Sequence, residues 1–439
     1  MAVTYPPDFR SSRWSLRHAS RNPLAFLDAL ACSPDEIVPF SLAGHPAFLL
    51  KHPDLVEAVL VTHQDKFTKS NGLRRAARLL GKGLLTAEGE SHRRQRSTIQ
   101  PAFHRQWLER YSEIMVAHAV RMSHGWQDGE TVNIVALAGA LTLSIVGQAL
   151  FGDDLRTVSD DVRRAARTAS DSLDPFISLL APVRRVRPER ARLAALVDTL
   201  IDRRLSDGPG SDDLLSLLLA ESDRSPASLE QVRDDALTIL LAGHETIANA
   251  LVWTWTLLAQ HPTIEERLER EVDIVLGERP AAACDLPALG TARRILTESM
   301  RLRPPAWVIA RSAVIDLEIG GTCVPGGATV LISQYLLHRD PRFFPDPLTF
   351  DPDRWLDPHS RGRPKMAYIP FGAGPRACIG EGFAWMEGVL LLATFAQRWR
   401  LRRGAGSPAL EPQPRITLRP PPVVRMTLHQ RQLVSRSGS

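Results

Sequence analysis

Cysteine is scarce in this chain: 439 residues hold four, Cys32, Cys284, Cys323 and Cys378, and no two form a C-x-x-C pair. That spacing excludes a disulfide framework and a thiolate zinc site, and points to a reducing compartment. Aromatics are sparse too, at 6%, and no basic tract is interleaved with them. The net charge of +5 therefore does not describe a nucleic-acid surface. Arginines alternate with acids instead, as in Glu265-Glu266-Arg267-Leu268-Glu269-Arg270, the pattern of a solvated helix face. A local basic patch would suit an acidic electron-transfer partner. Met1 to Arg21 lacks an apolar core, so no signal peptide or anchor is expected. Val132 to Gly152 is uncharged and has the length of a bilayer span. Asn133, Thr142, Ser144, Gln148 and three glycines interrupt it. The stretch is expected to be a buried strand or loop running into a core helix, in a soluble cytoplasmic protein with no integral membrane segment.

What is present is an ordinary globular composition, 44% hydrophobic and 23% charged, long enough for one to three domains. Ile37 to Leu42 and Ala47 to Leu50, either side of Gly44-His45-Pro46, predict a β-hairpin. From about Asp54 helical spacing dominates, with breaks at Gly125, Asp128-Gly129, Gly208-Pro209-Gly210 and His261-Pro262. Val314 to Ile332 is β-like, Asp340 to Pro364 is Pro-rich and irregular, and Arg415 to Leu428 predicts a strand pair. The layout is mainly α with a small β portion built from both ends of the chain. It predicts one domain over 1–439, with about 1–20 and 430–439 flexible.

Two constellations carry chemistry. In Phe371-Gly372-Ala373-Gly374-Pro375-Arg376-Ala377-Cys378-Ile379-Gly380, three glycines let backbone amides crowd the sulfur. The apolar run from Phe383 through Met386 to Leu391 predicts a helix starting just after Cys378, which lowers the thiol pKa. Arg376 suits a carboxylate, and a lone thiolate so placed suits an axial ligand of heme iron. The second constellation is Ala242-Gly243-His244-Glu245-Thr246, in the middle of a helix predicted from about Ser228 to Gln260 and opened by a Ser228–Gln231 capping box. An acid and an alcohol inside an apolar helix are costly unless paired or used. His92 and Arg96 stand four apart, so both can face one carboxylate from a single helix. Glu298 and Arg301 stand one turn apart.

The pattern F-x-x-G-x-R-x-C-x-G resembles the heme-thiolate signature of the cytochrome P450 family, and Ala242 to Thr246 resembles that family's distal-helix motif. Phe350-Asp351-Pro352-Asp353-Arg354-Trp355 resembles a further family segment, with Trp in place of the last Phe. The resemblance spans roughly Ile37 to Leu418. It implies the P450 fold around heme b, with Cys378 as the iron ligand in the loop of Phe371, Gly374, Arg376 and Gly380. It implies that His92, Arg96, Arg311 and Arg376 hold the propionates, and that Ala242 and Gly243 lie over the heme face. Thr246 would position water, Glu245 would relay protons, and Glu298, Arg301 and Arg354 would form a structural triad. The implied reaction is monooxygenation with O2 and two electrons, supplied by a separate ferredoxin and ferredoxin reductase. By analogy the Leu73 to Leu85 loop, Leu240 to Thr246, Ala306 to Ala310 and Ile416-Thr417 line the pocket, with Trp307 and Val308 adding bulk. Their apolar character favours a small apolar substrate. The Ser333-to-Trp355 segment resembles terpene-oxidising members, which suggests a terpenoid, a sesquiterpene, in secondary metabolism such as antibiotic biosynthesis. Fatty-acid or polyketide oxidation, peroxide-driven chemistry and non-catalytic heme carriage are the alternatives.

Overall fold

A computed structural model describes residues 22–42, 44–155, 187–207, 213–356, 358 and 360–431. The expected flexible ends and the Gly208-Pro209-Gly210 break lie largely or wholly outside these residues. Helix α1 (Pro23–Ala31) leads into the hairpin of β1 (Ile37–Leu42) and β2 (His45–Leu50), then α2 (Pro53–Glu57), β3 (Phe67–Lys69) and α3 (Asn71–Leu80). Next come α4 (Gly89–Ile99), α5 (Arg105–His124), β4 (Thr131–Asn133) and α6 (Ile134–Phe151). Further along lie α7 (Arg187–Asp207), α8 (Leu214–Ala220), α9 (Pro226–Leu258), α10 (Pro262–Val275) and α11 (Gly290–Leu302). The rest comprises β5 (Ile309–Ala313), β6 (Leu317–Ile319), β7 (Thr322–Val324), β8 (Thr329–Ile332), α12 (Gln334–Leu337) and α13 (Glu381–Ala396), and then β9 (Trp399–Arg402), β10 (Gln413–Pro414), β11 (Leu418–Arg419) and β12 (Arg425–Gln430).

The expected hairpin forms in register Ile37↔Leu50 to Leu42↔His45. It joins a sheet ordered β1-β2-β8-β5-β3, in which β2 and β8 run parallel. The uncharged run splits as expected into β4 and α6. Asn133 caps the helix by accepting from Val135 N (3.3 Å), and Gly152 ends it at φ +67°. Helices α6 and α9 are long and apolar enough to cross a membrane, and 67% of the apolar window of each is buried inside the fold.

Helix α9 is the axis on which α6, α11 and α13 pack. It begins earlier than the sequence suggested. Ser225 is the cap, accepting from Ser228 N (3.3 Å) with Pro226 at the first turn, and the Ser228 hydroxyl meets Ser222 instead (2.8 Å). Proline is favoured at that position because its missing N–H has no helical partner there.

Three further expectations are corrected. Leu73 to Leu85 is not all loop, since Ser70 caps helix α3 within it. The strands near the C-terminus do not pair with each other: β11 pairs with β10, while β12 lies between β4 and β9. Trp307 adds no bulk to a pocket. It is 0% exposed, packed in the cluster of Leu24, Phe26 and Phe40, and its indole donates to Arg415 O (2.7 Å).

Candidate active site

Helix α9 is buried along most of its second half, but its middle opens: Ala242 is exposed and Gly243 to Thr246 are half-buried. One turn on, Ile247 touches the bare face of Gly388 on α13, where an added Cβ would stand 3.2 Å from the isoleucine. From that contact both helices run toward accessible ground, α9 at Ala242 and α13 at the loop preceding it, where Cys378 is exposed. Ile309 of β5 meets the same loop, 3.6 Å from a Cβ built on Gly372. From these accessible surfaces, on elements that touch one another, we infer that they border one internal hollow.

The cysteine loop is fixed by its own backbone. Cys378 N donates to Phe371 O (2.9 Å), Ala377 N to Gly374 O (3.0 Å) and Gly372 N to Ile369 O (3.0 Å). Gly374 has φ +71°, and a Cβ there would lie 2.0 Å from Leu60 O, so no other residue fits. Phe371 packs edge-on against Trp385 at 5.5 Å, and Arg293 covers that indole at 4.5 Å.

The expected lowering of the Cys378 pKa does not hold. Helix α13 starts only at Glu381 with Gly380 as its cap, and burial pushes the thiol up, outweighing the Gly380 N–H and the Arg96 charge that pull it down. The sulfur is accessible by area yet surrounded by protein, as befits a group facing an enclosed space. Such a thiol becomes a thiolate when a metal ion supplies the missing positive charge.

Beside the loop stands a cluster of cations. Arg376 Nη2 binds Glu88, while its Nη1 is buried with no hydrogen-bond partner among the described residues. Arg96 Nη1 donates to Ala377 O (2.8 Å). Burial, with Arg376 nearby, pushes Arg311 down to about 10. Burial and then Lys69, Arg376 and Arg96 push His92 down to about 4, so its imidazole is a neutral donor. The sequence missed one of these cations, Lys69, and the acid beside it, Glu88. Lys69 sits across from Arg311 in the β3–β5 register, its ammonium donating to Leu84 O (2.9 Å) and Ala87 O (2.6 Å). Burial first, then Arg376 and Arg311, bring it to about 7 despite Glu88. Glu88 also accepts from Lys69 N (2.6 Å). Cations crowded and depressed in this way are suited to an anion with more than one carboxylate. No motif marks Lys69; its burial follows only from strand register.

Across the hollow, Thr246 Oγ1 donates to Ala242 O (3.0 Å). Glu245 is bound by Arg419 through Nε (2.7 Å) and Nη2 (3.0 Å), and by the Thr417 hydroxyl. Asn249 Nδ2 donates to Thr417 Oγ1 (3.1 Å) and Trp253 Nε1 to Leu418 O (3.2 Å). The stripe 245, 249, 253 along one face of α9 thus carries the turn before and through β11. Gly243 is half-buried beside the exposed Ala242, and a Cβ on it would come 3.2 Å from Val146 of α6. The Thr142 hydroxyl, also from α6, donates to His244 O (2.9 Å).

Behind the loop, Glu298 and Arg301 are each 0% exposed. Arg301 Nε and Nη2 donate to Glu298 (both 2.9 Å), as do Arg354 Nε (2.9 Å), Asp351 N (3.0 Å) and the Trp355 indole (2.9 Å). Trp355 therefore adds a hydrogen bond that Phe would not supply.

Comparison with known proteins agrees with this geometry. The family model described as Cytochrome P450 matches residues 12–426. Cyclooctatin synthase of Streptomyces melanosporofaciens is 38% identical over 91% of this chain and 90% of its own length. Pentalenene oxygenase of Streptomyces avermitilis is 35% identical over 87% of each. The crystal structure of the cytochrome P450DA heme domain superposes with a TM-score of 0.86 at 26% identity, covering 96% of both chains. With a matching family model, a matching fold and a cysteine loop facing an enclosed hollow, the chain belongs to the cytochrome P450 family of heme-thiolate monooxygenases.

Proposed function

We propose that this protein hydroxylates, or further oxidises, a small apolar terpenoid, with electrons from a separate ferredoxin and ferredoxin reductase. The residues fit the heme the family uses. The unpartnered Arg376 Nη1 with Lys69, His92, Arg96 and Arg311 would hold two propionates, and Cys378 would ligate the iron. When bound, the heme supplies reductive activation of O2, favoured by thiolate donation. The chain's own contribution is to bind and orient the substrate, to exclude water and to manage protons.

The observation that carries the substrate class is the character of the accessible wall. Leu241, Ala242, Val308, Ile309, Ala310 and Ile416 are partly accessible, and among them no set of polar groups converges to recognise a sugar or nucleotide. The two named Streptomyces relatives act on cyclooctatin- and pentalenene-type compounds by their names, which supports a terpenoid over a fatty acid or polyketide. A sesquiterpene, secondary metabolism of the antibiotic type and a cytoplasmic setting are the finer parts of this proposal. So is the reading of residues 1–439 as one domain, supported by the match over 12–426.

Thr246 would hold water near the reacting face through the lone pairs its donated bond to Ala242 leaves free. Glu245 would move a proton only by leaving Arg419. Optical titration of the purified heme protein tests the substrate: high-spin shifts with cyclic terpenes, followed by an oxygenated product, are expected. Strong shifts with fatty acids and none with terpenes would overturn the assignment. NADPH alone should give no product, and adding a ferredoxin with its reductase should restore it; turnover without partners would refute that part.

A further inference from the structure

Away from the cysteine loop, α5 and α6 pack on one another but leave a cavity of about 230 Å³ between them. Buried Leu141 and Leu143 of α6, with Leu155 just beyond it, form an apolar floor. Two buried polar side chains interrupt that floor, His118 of α5 and Ser144 of α6. Arg121, Met122 and Ala140 complete the lining and, being accessible, mark its mouth. Packed helices leave few voids larger than a water molecule, and water needs polar partners to occupy one. Here the polar groups are largely engaged. His118 Nε2 meets Gln148 Oε1 (2.5 Å), the Ser144 hydroxyl donates to Ala140 O (2.9 Å), and Arg121 lies 3.7 Å from Asp154.

Helix α6 is the wall between this cavity and the distal motif. Ala140, Ser144 and Gln148 stand four apart, so they share one stripe of the helix, and that stripe faces α5. Thr142 and Val146 lie two positions on, roughly half a turn around the helix, and they face α9. The Thr142 hydroxyl donates to His244 O (2.9 Å), and Val146 lies 3.2 Å from a Cβ built on Gly243. A molecule seated against the first stripe therefore presses on the helix that supports Gly243 and His244. Close-packed interiors transmit such strain instead of absorbing it.

We propose that the α5–α6 cavity is a second ligand site, taking a small neutral amphiphile, and that its occupant shifts ligand affinity in the hollow through α6. Size follows from the volume: a cavity of about 150 Å³ takes benzene, so this one takes about nine non-hydrogen atoms. A sesquiterpene is too large for it. The leucine floor suits an apolar body, and the lone pairs that Ser144 keeps after donating to Ala140 accept one hydroxyl. A neutral head is favoured over a carboxylate because Asp154 already faces Arg121. The site does not depend on the terpenoid assignment, and the heme serves only as its optical reporter.

The test uses the heme-loaded protein and 4-fluorobenzyl alcohol, which has the required size and carries a fluorine for NMR. With the hollow filled by 4-phenylimidazole on the ferric heme, the fluorine resonance should still shift saturably. Ala140→Phe, which fills the cavity, should abolish that binding, whereas Ala140→Ser should leave it intact. In optical titrations of the parent protein, the alcohol should change the dissociation constant of imidazole for the ferric heme by about fivefold, and Ala140→Phe should remove that change. No binding to the azole-filled protein overturns the proposal, as does binding that Ala140→Phe leaves untouched. Binding at the cavity with an unaltered imidazole constant refutes it too, because the coupling is then absent. A change that persists in Ala140→Phe would arise in the hollow itself and would equally count against the site. Should Ala140→Phe yield no heme-loaded protein, Met122→Trp at the mouth is read by the same criteria. Failure of terpenes to bind would overturn the substrate assignment and leave the cavity site standing.

Discussion

Arg419 holds Glu245 in a two-point ion pair, Nε to Oε1 at 2.7 Å and Nη2 to Oε2 at 3.0 Å. The acid of the distal motif is thus tied to the C-terminal turn instead of standing free beside Thr246. Arg419→Met leaves the carboxylate without its guanidinium, which for a buried pair costs about 3 kcal/mol or more. Adding Glu245→Gln should recover part of that loss. Urea unfolding of the two single variants and the double variant measures the coupling; strictly additive losses would show that the pair contributes nothing of its own.

The Glu298 carboxylate should be the most sensitive point behind the heme loop. Glu298→Gln leaves Arg301, wholly buried, without its counter-charge, at a cost of about 3–5 kcal/mol. Trp355→Phe removes a single hydrogen bond, worth about 1–3 kcal/mol when the acceptor is charged. The first variant should fail to retain heme, and the second should retain it with a lowered unfolding midpoint. Equal damage from both would contradict the ranking.

Glycines divide by what surrounds them. Gly374→Ala puts a Cβ at φ +71° and 2.0 Å from Leu60 O, so no heme-loaded protein is expected on expression. Gly139→Ala, inside α6 with nothing within 4 Å, should instead raise stability by about 0.5–1 kcal/mol. Heme content and melting temperature check the pair, and a tolerated Gly374→Ala would show that the loop shifts easily.

Asp235 sets a pH dependence of definite sign. Burial raises it from 3.8 to about 6, so the folded protein favours the protonated acid. That stability is fully present below 3.8 and is lost as pH rises through about 6. Relative to Asp235→Asn, the parent protein should lose stability between pH 4 and pH 7. A flat difference in denaturant midpoint over that range would mean that Asp235 ionises as it does in the unfolded chain.

What the sequence revealed follows a physical line. Glu298–Arg301 was legible because a helix places residues three apart on one face, and the cysteine loop because its glycines and its sulfur are local. Of the distant partners, Arg354, which binds Glu298, was reached only through the family resemblance, and others were not reached at all. Arg419 lies 174 residues from Glu245, and Arg376 lies 288 from Glu88; nothing local encodes such meetings. The Cys378 pKa was misjudged because a nearby helix start is visible in sequence, whereas desolvation depends on the whole enclosure. Gly243 was assigned to the heme face by motif; the reason only a small residue stands there, a Cβ 3.2 Å from Val146 of α6, was not readable from the motif.

The pairing of β12 with β4 joins Arg425 to Asn133, and Val424 N reaches the Asn133 side chain across 291 residues (3.2 Å). On the ribosome, then, the long apolar helix α6 emerges 291 residues before the segment that meets its cap. Until α9 follows and covers it, the apolar surface of α6 is a natural client for chaperones, and the pairing of β4 with β12 closes the helix start afterwards.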